Sequence, residues 1–226
     1  MYGDVMWWRV EDMAVWWQAL LLLCWALNCV RSSAPAPLVQ RNKYNNSFRL
    51  ARSTRTRVQQ LQKKYTEQQL GNKHFEDRGR QLRELPSLST DFYSWLTLTD
   101  WDRLHAAFWD MQAYWNMLER KRKQLERQHI GGQALHSTLP QSIKHIQLDL
   151  RDLMSQVSNQ MSYMRSSWMK PTSPTARAPL SPENRSQTLW DSRVEGYVIL
   201  RDLDLYLTKL ARDFLLLASK THMTQQ

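Results

Sequence analysis

Beyond residue 40 the apolar positions recur at steps of three and four, and the punctuating residues fall between the runs. The first stripe is Tyr44, Phe48, Ala51, Val58, Leu61 and Tyr65, and it stops at Gly71-Asn72. The second opens on Thr99, a good N-cap with Asp102 three residues later. It continues through Trp101, Leu104, Phe108, Met111, Trp115, Leu118 and Leu125, broken only by Arg122, and ends at Gly131-Gly132. The third starts near Pro140 and carries Ile143, Ile146, Leu150, Leu153, Val157, Met161, Met164 and Trp168 up to Pro171. The fourth is Val194, Tyr197, Leu200, Leu203, Leu207, Leu210, Phe214 and Leu217. No stretch alternates with the period of two that a sheet requires. The pattern predicts four helices, over about 41–70, 99–130, 139–169 and 190–219, each about 40 Å long.

The connections order these helices. They run to about 27, 7 and 20 residues. Two parallel helices of this length can be joined only by a link that travels the whole bundle, which takes at least ~12 extended residues. A short link forces an antiparallel neighbour. Long, short, long therefore predicts an all-α, up-up-down-down long-chain four-helix bundle. The last link, PTSPTARAPLSPENRSQ, is polar and Pro-rich, whereas the first holds an apolar cluster, LPSLSTDFYSWL at 85–96, expected to pack on the bundle.

The first 30 residues differ from the rest. They hold both Cys and five of the 11 Trp. Met13 to Leu27 is an apolar run of the length of a signal h-region and short for a bilayer span. Val30 and Ser32 set small residues for cleavage after Ser32, and Ala34-Pro35-Ala36-Pro37 follows as a hinge. The expected organisation is a signal peptide over 1–32 and a bundle domain over 33–226. A buried hydrophobic helix and an uncleaved anchor are the other readings, since Asp4, Glu11 and Asp12 outweigh Arg9 in the n-region. Cleavage removes two Arg and three acids, so the net charge moves from +10 to +11, and it leaves no cysteine. Two N-glycosylation triplets, at Asn45 and Asn184, suit a secretory route.

Catalysis is not expected, because no converging site can be assembled. The six His form no His-x-x-x-His pair, and no nucleophile elbow, P-loop or Rossmann fingerprint occurs. Neither a metal site nor a cofactor is expected. His145 and Asp149 sit one turn apart and read as a solvated surface pair. Basic residues crowd the first helix (Arg49, Arg52, Arg55, Arg57, Lys63, Lys64) and the end of the second (Arg120 to Lys123, Arg127). They read either as solvated faces or as a surface for sulfated glycans outside the cell. Nucleic acid is not an expected partner, since no recognition helix or zinc finger is present.

Several residues in order resemble one family. Ser47-Phe48-Arg49-Leu50-Ala51-Arg52, Leu61 and Tyr65 lie on the first helix, with Ser89-Thr90-Asp91 and Ser94 in the link behind it. Leu98-Thr99, Arg103-Leu104 and Ala113-Tyr114 follow on the second. This series resembles the long-chain cytokines of the interleukin-6 group, most closely the ciliary neurotrophic factor branch and its leukaemia inhibitory factor-like fish relatives. The resemblance implies a secreted ligand that binds and clusters receptor chains: the shared signal-transducing glycoprotein receptor, through exposed faces of the first and third helices, and a chain of the leukaemia inhibitory factor receptor type. Members that engage the latter carry Phe-x-x-Lys at the start of the fourth helix. The equivalent here is Trp190-Asp191-Ser192-Arg193, so Trp190 and Arg193 are the expected receptor-binding residues. Late in that helix Tyr206 and Lys209-Leu210 depart from the family's pattern while Arg212-Asp213-Phe214 keeps its acid, which leaves open whether an alpha receptor is used. The expected function is receptor clustering that triggers receptor-associated tyrosine kinases. The alternative is a membrane-anchored or structural helical bundle with no signalling role.

Overall fold

The computed structural model describes residues 36–88, 91–130, 138–164 and 188–223. The expected signal peptide, Trp168, Asn184 and most of the Pro-rich link lie outside the described residues. The described helices are α1 (Ala36–Leu70), a short α2 (Phe92–Thr97), α3 (Asp100–Ile130), α4 (Leu139–Met164) and α5 (Leu189–Met223). No strand occurs among the described residues. The chain divides into two compact units, Met1–Gln40 and Arg41–Gln226. Of the first only residues 36–40 are described, as the opening of α1, and every contact below lies within the second.

Local chemistry sets the helix ends. At the start of α3 the Asp102 amide donates to Thr99 Oγ1 (3.1 Å) and the Thr99 hydroxyl donates to the Asp102 carboxylate (2.6 Å). Thr188 and Asp191 repeat that reciprocal cap at the start of α5, at 3.0 and 2.6 Å. Asp91 caps α2 by accepting from the Ser94 amide. α1 ends where Gly71 turns to φ +68°, and the Asn72 amide reaches back to the Thr66 carbonyl.

Cross-helix bonds give the helix directions. Between α1 and α4, Ser47 meets Gln156 and Gln160, Arg57 meets Asp149, and Lys64 meets Thr138. One number rises as the other falls, so the pair is antiparallel. The same holds for α1 and α5 (Arg55–Asp204, then Tyr65–Arg193) and for α3 and α5 (Asp100–Lys220, Arg103–Asp213, Lys121–Glu195). α3 packs on α4 as well, with Gln147 donating to Glu119. Helices α1 and α3, both antiparallel to α5, therefore run the same way, followed by α4 and α5 running back: up-up-down-down.

The four stripes form the core. Tyr44, Val58, Leu61, Leu104, Met111, Leu118, Ile143, Leu150, Leu153, Val157, Leu203, Leu207 and Phe214 are all buried. Two expectations change. Met164, placed on the third stripe, is 38% exposed at the end of α4. The apolar cluster of the first link splits: Leu85 is buried and Leu88 packs on the core, as does Leu82 just before the cluster, but Phe92, Tyr93 and Leu96 face solvent. The side of α2 that faces the bundle carries Trp95, which is half-buried. Trp95 Nε1 donates to Asp213 (2.7 Å), Arg103 donates to the same carboxylate (2.6 Å) and to the Trp95 carbonyl (2.6 Å), and the guanidinium lies 4.8 Å from the indole centre.

Candidate functional site

Trp190 and Arg193 occupy the first turn of α5, where a spacing of three puts them on one face. Trp190 is 51% exposed. One edge of it is braced by Phe75 from the α1–α3 link, with ring centres 6.1 Å apart at 82°. Phe75 in turn meets Tyr197 edge-on at 5.0 Å, so the indole rests on an aromatic bracket and leaves the rest of its surface open. Arg193 is half-buried. Its Nε is buried without a hydrogen-bond partner, and no acid pairs with its guanidinium among the described residues. Half-desolvated and uncompensated, this cation is suited to an incoming carboxylate.

The link also holds one of the two residues between them. Asp191 accepts from Arg80 at 2.7 Å. The Thr188 cap and then Arg80 hold its carboxyl below the usual aspartate range. Arg201, nearly three turns further along α5, donates to the Asp77 carbonyl and to the Arg80 carbonyl (2.7 Å), which stitches this part of the link to the helix.

Under the exposed face lies a buried polar layer. Lys121 Nζ from α3 donates to the Ser192 carbonyl (2.7 Å), to Gln124 (2.7 Å) and to Glu195 (2.9 Å). From α1 the Tyr65 hydroxyl donates to the Arg193 carbonyl at 3.0 Å. Both arms enter through the notch left by Gly196, where a Cβ would sit 2.1 Å from Tyr65 Oη. Burial, opposed by Glu195, pulls the Lys121 ammonium below the usual lysine range. Burial, reinforced by Glu195, pushes the Tyr65 phenol well above the usual tyrosine range.

The other expected residues lie elsewhere. Asn45 is half-buried within α1, and the hydroxyl of Ser47 in its triplet is inside the bundle, donating to Gln156 (2.6 Å) and accepting from Gln160 (2.8 Å). The Asp213 carboxylate, the retained acid of the family pattern, is buried against Arg103 and Trp95 and not offered to a partner. Asp149 pairs with Arg57, while His145 meets Gln141. Many of the clustered cations are matched: Arg55 by Asp204, Arg57 by Asp149, Arg120 by Glu84, and Arg122 by Glu119 and Glu126. Among the described residues no group of three His, Cys, Asp or Glu could hold a metal, and no helix is long and apolar enough to cross a membrane.

Phe75, Arg80, Tyr65 and Lys121 are the parts of this site that sequence reasoning missed. Two local signals pointed near them: the reciprocal cap spacing Thr188-x-x-Asp191, and a lone glycine, Gly196, inside a long helix. The pattern of positions that defines ciliary neurotrophic factor matches residues 29–226. No individual curated protein matches the chain. The match spans all the described helices and agrees with the up-up-down-down order, so the chain belongs to the ciliary neurotrophic factor family of long-chain helical cytokines.

Proposed function

We propose that this cytokine is secreted and docks a receptor chain of the leukaemia inhibitory factor receptor type through Trp190 and Arg193. It brings that chain together with the shared signal-transducing glycoprotein receptor, held by exposed faces of α1 and α4, so that receptor-associated tyrosine kinases fire. The observation that supports this most is the first turn of α5: a half-exposed indole beside a guanidinium with no acid partner among the described residues. An aromatic anchor next to an unmatched cation is the make-up of an interface hot spot. Residues 1–32 act as the cleaved leader in this reading, and the mature chain begins near Ser33. Retention on sulfated glycans would fall to the exposed cations of α1, among them Arg49, Arg52 and Lys63.

Replacing both Trp190 and Arg193 by Ala tests the assignment. Signalling is lost and affinity for the first receptor falls by at least ~30-fold, the ~2 kcal/mol of a hot spot. Helicity and affinity for the shared receptor stay unchanged. Full activity in the double variant would refute the site.

A further inference from the structure

We propose that Lys121 and Tyr65 are positioning residues for the receptor contact, fixing from beneath the turn of α5 that presents Trp190 and Arg193. This rests on the reading of those two residues as the contact, and the measurements below separate the two ideas.

The first turn of a helix is its least secured part. The amides that open a helix have no partner in its ladder, which here begins with the Ser192 amide on the Thr188 carbonyl, and few tertiary contacts hold an end that projects from a bundle. Here the turn is held from both sides. Lys121, 5% exposed, spends its ammonium on the Ser192 carbonyl, and Glu195 and Gln124 complete its donor set. Tyr65, 1% exposed, grips the next carbonyl along, that of Arg193. The two come from different helices, α3 and α1, and meet over Gly196, whose missing side chain lets Tyr65 and the Lys121 stem approach the α5 backbone. Outside, Phe75 braces the indole and Arg80 holds Asp191. The turn is therefore clamped on its inner side by buried groups and steadied on its outer side by the link.

A buried ammonium is costly to place in a core that a methionine could fill. Three of its contacts converge on two residues of one turn, Ser192 and Glu195. Rigidity at that turn has a direct consequence for binding. A contact that is already ordered before encounter does not lose conformational freedom when the partner arrives.

Two near-isosteric variants of the full secreted chain test this, Lys121→Met and Tyr65→Phe. Hydrogen exchange of the amides at 189–196 is measured together with affinity for each of the two receptor ectodomains. The expected result is exchange about tenfold faster in that segment alone, with affinity for the first receptor about tenfold weaker and for the shared receptor unchanged. Unchanged exchange in both variants overturns the clamp. Equal loss toward both receptors overturns the positioning role, because it marks a global effect on the bundle. If exchange rises as expected but the Trp190→Ala/Arg193→Ala chain still binds the first receptor, the contact assignment fails and the clamp stands as a purely structural feature.

Discussion

Gly196→Ala is the substitution on which helix propensity and packing disagree most sharply. In an exposed helix interior the change is favourable by about 1 kcal/mol. At this position the new Cβ would lie 2.1 Å from Tyr65 Oη, 2.5 Å from Tyr65 Cζ and 3.2 Å from Lys121 Cδ. The phenol must therefore retreat by about an ångström to reach ordinary contact. It has little room to do so, since Tyr65 is 1% exposed and reaches from α1 onto the α5 backbone. Overpacking of this kind costs about 1–3 kcal/mol, and moving the ring also loses the bond to the Arg193 carbonyl, worth about 1 kcal/mol. Offset by the propensity gain, the net destabilisation is about 1–3 kcal/mol, or a fall in Tm of roughly 2–12 °C for a chain of this size. Thermal and guanidinium unfolding followed by far-ultraviolet circular dichroism measure it. In a Tyr65→Leu background, where the obstructing ring is gone, the same substitution becomes neutral or stabilising. A rise in Tm on placing Ala at 196 beside an intact Tyr65 would show that the notch is not filled as described.

Three further outcomes are expected. Arg103→Met strands the buried Asp213 carboxylate and destabilises by about 3–5 kcal/mol in chemical denaturation, whereas Arg103→Met/Asp213→Leu recovers most of the loss. Burial alone would raise the Glu119 carboxyl, but hydrogen bonds from Arg122, Gln147 and Lys123 outweigh it and bring the folded value from 4.5 down to about 2. Its contribution is therefore fully present above pH ~4.5 and is lost as pH falls toward ~2, so Glu119→Gln flattens acid unfolding across that window. In the secreted protein, Asn45→Gln leaves the glycan-dependent gel mobility unchanged, because Ser47 is bonded inside the bundle; a shift lost in Asn45→Gln but kept in Asn184→Gln would contradict that.

What could be read from the chain, and what could not, divides by how far apart the interacting residues lie. The helix order followed from link length, because the reach of an extended chain is a local quantity. Trp190 and Arg193 were legible as a pair because three residues of helix always share a face. The second stripe also showed its one irregularity, at Arg122, yet the cation that enters the core at this level is its neighbour Lys121, as Arg103 does near the start of the helix. On sequence pattern the two are equivalent. What separates them is the Ser192 carbonyl and the Glu195 carboxylate, more than 70 residues on, which satisfy an ammonium at one position, while at the other Glu119 and Glu126 pair with a guanidinium along the same helix. Asp213 makes the same point from the opposite side: as one acid in a run of charged residues it reads as surface, and only Arg103 and Trp95, 110 and 118 positions away, make its burial tolerable. Phe92 and Tyr93 err the other way, for their apolar character predicts burial while α2 spends its inward direction on Trp95. A polar group is driven inside by a partner and not by its own hydropathy, so the parts of this site that support Trp190 and Arg193 were hidden for the same reason that they hold the turn: each is matched by a residue on another helix.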